Sequence, residues 1–145
     1  VDLGFDGVTL ADTTGMANPA QVERLARAAV TNCKGVELTL HFHNTRSMGL
    51  ANVVAGIRAS VFSYDGSLAG LGGCPFAPGA TGNICTEDMV NMLEDMGYDT
   101  GVDLDLLLAA AVKMPAIVGH EVPGQVMRAG KTMHLHAVPQ KLYTQ

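Results

Sequence analysis

Strand-like and helix-like segments alternate along most of this 145-residue chain. Apolar and β-branched residues predict strands over residues 8–11, 36–43 and 61–68. Apolar residues at helical spacing predict helices over residues 19–33, 50–59, 89–96 and 104–113. Because each of these strands is followed by a helix, or by a long loop and then a helix, the pattern predicts a parallel sheet with helical crossovers, which restricts the fold to the α/β class.

The first helix carries a clear start signal. Asn18 can cap it, and Pro19 suits its first turn. Cys33 falls on the apolar stripe that begins at Val22, so it is predicted to pack in the core. By the same reasoning Asp103 is predicted to cap the helix that starts at Leu104.

The number of predicted strands indicates how much of a complete fold this chain contains. A closed barrel of eight strand–helix units takes about 250 residues, and its active site lies at the carboxyl ends of the strands. Polar residues follow the predicted strands here, but only three strands are visible. Residues 1–113 are therefore predicted to form the C-terminal part of a TIM (β/α)8 barrel without its first strands, and residues 114–145 a helical or irregular extension.

Two histidines, His41 and His43, end the second predicted strand. Alternate residues of a strand share a face, so both imidazoles can reach one point. A buried, hydrogen-bonded pair is the structural alternative. The position at a strand end favours a metal site, for which Mg²⁺, Mn²⁺ or Zn²⁺ would suit mixed nitrogen and oxygen ligands.

A glycine-rich loop over residues 69–82 follows the third predicted strand, and it contains Cys74. A thiol on such a loop can donate or accept a proton, although it can also be a small loop residue. Asn83, just after the loop, could give its amide oxygen to a hard cation. Asp12 ends the first strand and could act as a base or cap the next turn. The loop lacks the glycine spacing and the lysine of nucleotide-binding loops.

Composition disfavours several classes of partner. The net charge of −5 argues against a nucleic acid or an anionic membrane surface. No apolar run approaches the roughly 18 residues of a membrane span, and the first residues do not resemble a secretory signal. Three cysteines in irregular spacing favour a reducing compartment over a disulfide framework.

The motifs together resemble the 3-hydroxy-3-methylglutaryl-CoA lyase family. The resemblance covers roughly residues 5–112, and its most specific parts are the segments 70–77 and 79–83, which read GLGGCPFA and GATGN. It implies a TIM-barrel carbon–carbon lyase that cleaves 3-hydroxy-3-methylglutaryl-CoA, or a related 3-hydroxyacyl-CoA, to acetyl-CoA and acetoacetate. The implied cofactor is a divalent cation, usually Mg²⁺ or Mn²⁺.

The resemblance also assigns roles. His41, His43 and Asn83 would bind the metal, Cys74 would transfer a proton, and Asp12 would lie close to the substrate. The family's first-strand aspartate and arginine have no counterpart here, so a preceding half of the barrel is expected. Asn44 stands where these lyases commonly carry aspartate, and Arg46 adds a cation nearby, which leaves the exact acyl-CoA open.

Two alternatives stay open beside the lyase. One is a condensing synthase of the same superfamily, and the other is a half-barrel that binds metal weakly or needs a partner chain. The expected partners are an acyl-CoA substrate and either a second copy of the chain, as a dimer, or the missing half of the barrel. The resemblance implies the bacterial cytoplasm or the mitochondrial matrix.

Overall fold

A computed structural model describes residues 4–73, 79 and 81–133. Three parallel strands form one sheet in the order β1-β2-β3, and they are β1 (Gly7–Asp12), β2 (Glu37–Phe42) and β3 (Ser63–Asp65). The helices are α1 (Pro19–Asn32), α2 (Gly49–Arg58), α3 (Thr86–Asp95), α4 (Leu104–Ala111), α5 (Met114–Val118) and α6 (Val126–Ala129). Since α1 and α2 connect the three parallel strands, the predicted α/β class is confirmed.

The predicted caps are confirmed, whereas two element boundaries differ from the prediction. The Asn18 side chain accepts the backbone N–H of Gln21 at 3.0 Å, and Pro19 opens α1. The third strand is only three residues long, because the chain leaves the sheet after Asp65 and makes a 3-10 turn at Leu68–Gly70. Helix α3 begins at Thr86, three residues before its predicted start at Met89.

The core lies where β2 packs against the helices. Leu40 is 2% exposed, and Val53 of α2 is completely buried. Helix α2 approaches β2 closely at Gly56, where an added Cβ would lie 2.6 Å from Leu40 Cδ1. The buried apolar cluster consists of Val22, Ala26, Leu40, Phe42, Val53, Ala55, Ala59, Val61, Ile84 and Met89. It packs β2 against α1 and α2.

The apolar stripe of α1 is less buried than the spacing of its residues predicts. Cys33 is only partly buried, because it caps the end of α1 and does not face the core, so its predicted core position is wrong. Leu25 is 45% exposed. It lines an open groove of about 350 Å³ beside β1. Within the described residues β1 pairs only with β2, and nothing covers this side.

The part after α4 packs back onto α3. Asp88 accepts the backbone N–H groups of Gln125 and Val126, and Val122 is 2% exposed. The predicted division at residues 113 and 114 stays a prediction. Among the helices described, none combines the length and hydropathy that a membrane span requires.

Candidate metal centre

Strand register brings the polar strand ends together. Ala11 of β1 pairs with His41 of β2, and His41 pairs in turn with Asp65 of β3. Parallel strands place their carboxyl ends at one edge of a sheet, so Asp12, His41 and Asp65 end at the same edge. His43 lies two positions beyond His41, and the two imidazole centroids are 5.1 Å apart. The predicted proximity of the two histidines is confirmed.

Asn83 reaches this edge because its segment runs antiparallel along the end of β2. The backbone N–H of Ile84 donates to the carbonyl of Phe42 at 3.1 Å, and that of Asn44 donates to the carbonyl of Gly82 at 3.0 Å. His43 and Asn83 are opposite each other in this bridge. All three residues predicted as metal ligands therefore lie within one hydrogen-bonded stretch.

The Asn83 side chain has a defined orientation. Its Nδ2 donates to the carbonyl of Leu71 at 2.8 Å, which turns Oδ1 the other way. Oδ1 is buried and has no hydrogen-bond partner among the described residues. Glycine is required beside it: a Cβ at Gly72 would lie 2.8 Å from Nδ2, and one at Gly82 would lie 2.2 Å from the carbonyl oxygen of Gly70. The glycines therefore let the loop backbone approach the amide.

His43 offers a second unpaired atom. The residue is 8% exposed, and its Nδ1 is buried without a hydrogen-bond partner in the described part of the chain. Burial lowers the pKa of His43 below its ordinary value, His41 lowers it further, and Asp12 acts in the opposite direction. A lowered pKa favours the neutral imidazole, which is the form that binds metal ions.

His41 is oriented by a residue that sequence reasoning did not identify. Its Nδ1 is paired with the carboxylate of Asp65, which leaves Nε2 as the nitrogen available to another ligand. A carboxylate on one imidazole nitrogen fixes the ring and increases the basicity of the other nitrogen. The available signal was the position of Asp65 at the end of the third strand, directly opposite His41.

Asp12 makes the contacts of a turn cap. Its Oδ1 accepts the backbone N–H of Met16 at 2.9 Å, and its Oδ2 accepts that of Ala17 at 3.1 Å. Asp12 therefore caps the turn after β1, which is one of its two predicted roles, and its catalytic role stays a prediction. Cys74 lies outside the described residues, and its predicted role in proton transfer also stays a prediction.

Asn44 and Arg46 both hold loops at this edge. Asn44 Oδ1 accepts the backbone N–H of Gly49 at the start of α2, at a distance of 3.1 Å. The Arg46 guanidinium donates to the carbonyl of Gly15 at 3.1 Å and thereby joins the loops after β2 and β1. Asn44 is therefore a cap for α2, and Arg46 is exposed at the candidate metal centre's edge of the sheet.

A second group of potential ligands lies at the start of α3. Cys85, Glu87 and Asp88 are buried, and their ligand-type atoms lie within 4.8 Å of one another. Glu87 accepts the backbone N–H of Ala69, and Asp88 accepts two backbone N–H groups near α6. Burial raises the pKa of the Cys85 thiol and that of the Glu87 carboxyl. A thiol and a carboxyl whose burial disfavours ionisation, together with oxygens that already accept hydrogen bonds, fit a structural cluster better than a metal site.

Comparison with known proteins identifies the family. Residues 1–114 match the model of the HMGL-like family. The (R)-citramalyl-CoA lyase of Chloroflexus aurantiacus is 46% identical over 130 residues, which are 90% of this chain and 41% of that protein. The hydroxymethylglutaryl-CoA lyase of Bacillus subtilis is 42% identical over 131 residues, which are 90% of this chain and 44% of that protein.

Solved structures agree with these matches. The HMG-CoA lyase of Acinetobacter baumannii, solved in complex with coenzyme A and 3-methylmalate, superposes with a TM-score of 0.90 and 51% identity. The match covers 95% of this chain and 45% of that one. The chain thus spans less than half the length of the relatives it matches. On its sequence and its fold alike, it belongs to the HMGL-like family and forms a partial TIM barrel.

Proposed function

We propose that this chain contributes the metal-binding part of a carbon–carbon lyase that cleaves a 3-hydroxyacyl-CoA. The observation that carries the proposal is the pair of buried, unpartnered atoms, His43 Nδ1 and Asn83 Oδ1, at opposed positions of one backbone bridge. Leaving a buried polar atom unpaired costs about 1–3 kcal/mol, so such a pair calls for a ligand. With His41 beside them, the donors are two nitrogens and one amide oxygen.

This donor set fits a divalent cation. An amide oxygen suits Mg²⁺ or Mn²⁺, and imidazole nitrogens also suit Zn²⁺, so we propose Mg²⁺ or Mn²⁺ with Zn²⁺ as the alternative. When bound, such a cation supplies Lewis acidity that makes a coordinated hydroxyl easier to deprotonate. The chain itself contributes the neutral state of His43, the ring orientation that Asp65 gives to His41, and the amide orientation that Leu71 gives to Asn83.

The proposed reaction is a retro-aldol cleavage. The hydroxyl proton leaves to a base as the carbon–carbon bond breaks, which releases a ketone and the enolate of acetyl-CoA. Asp12 remains a candidate base, because a carboxylate oxygen that accepts one backbone N–H keeps a second lone pair. Cys74 is proposed to protonate the enolate. Hydroxymethylglutaryl-CoA would yield acetoacetate, and citramalyl-CoA would yield pyruvate.

Two substrates are supported by the relatives. One relative is a citramalyl-CoA lyase and another a hydroxymethylglutaryl-CoA lyase, and this chain shares similar identity with both. Both substrates carry a hydroxyl on the carbon β to the thioester, so the same cleavage applies to each. The proposed partners are this acyl-CoA and either a second copy of the chain or the remaining part of the barrel. The bacterial cytoplasm or the mitochondrial matrix stays the proposed location.

The test combines Mn²⁺ titration with product analysis. His43→Ala and Asn83→Ala should each weaken Mn²⁺ binding by at least about tenfold, since each removes a ligand. His120→Ala is the matched control, because His120 is exposed and its Nδ1 pairs, among the described residues, with the backbone carbonyl of Glu121. Acetoacetate or pyruvate from the matching acyl-CoA would identify the substrate. Equal Mn²⁺ affinity in all three variants would refute the proposed site.

A second candidate function follows from the length of the chain. Because the match covers less than half of each relative, the chain can be a partial barrel that binds metal but has no activity until the rest of the barrel is supplied. Tight Mn²⁺ binding without cleavage of either acyl-CoA would favour this candidate. Condensation of acetyl-CoA with a keto acid under the same conditions would instead favour a synthase.

A further inference from the structure

Glu87 is a completely buried carboxyl group that links α3 to the turn at Leu68–Gly70, where the glycine-rich loop begins. Its Oε2 accepts the backbone N–H of Ala69 at 3.0 Å. Its Oε1 has no hydrogen-bond partner among the described residues and lies against Gly124, where an added Cβ would come within 2.7 Å. The carboxyl is therefore held in place by packing on one side and by one backbone hydrogen bond on the other.

The turn that Glu87 contacts is strained. Ala69 has φ of +58°, in the left-handed region that residues with a Cβ rarely adopt. Such a conformation persists only where the surroundings impose it. Ala69 is completely buried, and without Glu87 its N–H would be buried unpaired. The Glu87 carboxyl is therefore what stabilises the middle residue of the turn at Leu68–Gly70.

The same turn sets the carbonyl that orients the proposed metal ligand. The N–H of Leu71 donates to the carbonyl of Leu68 at 3.2 Å, which closes the turn. The carbonyl of Leu71 then accepts Nδ2 of Asn83 at 2.8 Å. A continuous path of contacts thus runs from the Glu87 carboxyl through Ala69 and Leu71 to the Asn83 amide.

We propose that Glu87 is a positioning residue that holds the Asn83 amide oxygen toward the metal centre by stabilising the turn at Leu68–Gly70. This inference rests on the proposed function, because it assigns Glu87 a role in the affinity of that same metal centre. Among the described residues, no hydrogen bond joins Glu87 directly to His41, His43 or Asn83. Its effect is expected in the geometry of one ligand, and so in metal affinity, beyond any effect on folding.

The test measures the Mn²⁺ dissociation constant of the intact chain by electron paramagnetic resonance. Glu87→Met fills a similar volume but removes the oxygen that accepts the Ala69 N–H, and it should weaken Mn²⁺ binding by roughly tenfold, as the loss of groups that orient ligands does. Glu87→Gln keeps a carbonyl oxygen at the same place. It should restore the affinity to within about twofold of the original chain.

Asp88→Ala is the matched control. Asp88 is the neighbouring buried acid, but its carboxylate accepts N–H groups of Gln125 and Val126 near α6 and not that of the turn. The control should lower the thermal unfolding midpoint and leave the Mn²⁺ affinity of the folded protein unchanged. A merely structural role for Glu87 would give the same result as Asp88→Ala.

Three results would overturn the inference alone: unchanged Mn²⁺ affinity in folded Glu87→Met, an equal loss in Asp88→Ala, or a loss in Glu87→Gln as large as in Glu87→Met. If Glu87→Met does not fold, Glu87→Ala is the second truncation, and failure of both to fold would show that the residue holds the fold as a whole. Absence of Mn²⁺ binding by the unaltered chain would instead overturn the proposed function.

Discussion

Removing the Asp65 carboxylate should weaken metal binding without destabilising the fold. Asp65 pairs with Nδ1 of His41, and the side chains of the two residues are 53% and 24% exposed. Exposed ion pairs contribute less than about 1 kcal/mol to stability, because solvent screens them. Asp65→Ala is therefore expected to change the free energy of unfolding by less than about 1 kcal/mol.

The expected effect on metal affinity is larger. Carboxylates that orient a ligating imidazole typically contribute about 10–100-fold to affinity, which corresponds to roughly 1.4–2.7 kcal/mol. Since water already reaches about half of the Asp65 side chain, the lower end applies, and we expect about a tenfold increase in the Mn²⁺ dissociation constant. Asp65→Asn keeps an oxygen that can accept the Nδ1 proton, so its loss should be smaller.

Isothermal titration with Mn²⁺ and urea unfolding of the same variants separate the two effects. Glu23→Ala is the control, because Glu23 forms an exposed ion pair with Arg27 within α1. It should leave Mn²⁺ affinity unchanged. An Asp65→Ala variant that folds and binds Mn²⁺ as tightly as the original chain would refute the assignment of Asp65 as the group that orients His41.

Two further predictions concern stability. Leu40→Ala should lower the free energy of unfolding by about 2–5 kcal/mol in urea titrations, because Leu40 is only 2% exposed. Leu106 is 70% exposed, so Leu106→Ala should change the free energy of unfolding by less than about 0.5 kcal/mol. Similar losses in the two variants would contradict the assigned core. Burial raises the pKa of the Glu87 carboxyl above its ordinary value of 4.5, so folding favours the protonated form. The stability that this form contributes is complete below pH 4.5, and it is lost as the pH rises through the folded-state pKa. Glu87→Gln should remove this decline, because an amide does not ionise; an unchanged pH profile of unfolding would show that Glu87 is not its source.

Local sequence signals predicted the elements well where one residue type decides the outcome. Asn18 before Pro19 predicted the start of α1, because a side-chain acceptor and a fixed φ act within one turn. The end of the third strand was predicted too late, although residues 61–68 contain Asp65 and Gly66, which are residue types that strands disfavour. The strand ends at Asp65, and the chain then makes the 3-10 turn at Leu68–Gly70, where Glu87 accepts the backbone N–H of Ala69.

The candidate metal centre also combines features that the sequence predicted with features that it did not. The spacing of His41 and His43 determined that their rings share a face, since alternate strand residues do so in any sheet. The approach of Asn83 was implied only by resemblance, because no local rule relates a residue to a strand some forty positions earlier. Asp65 was missed, since its partner is defined by interstrand register. The burial of Glu87 is also a tertiary property, as charged residues at the first turn of a helix are ordinarily exposed.

What the sequence determined by itself is therefore the alternation of strands and helices, the helix starts and the shared face of two imidazoles, all of which depend on backbone geometry over a few residues. Tertiary structure alone decided which atoms stay unpartnered. The orientation of the Asn83 amide depends on the carbonyl of Leu71, and the ring of His41 on the carboxylate of Asp65. Such contacts join segments distant in the chain, and packing selects them only once the sheet has formed.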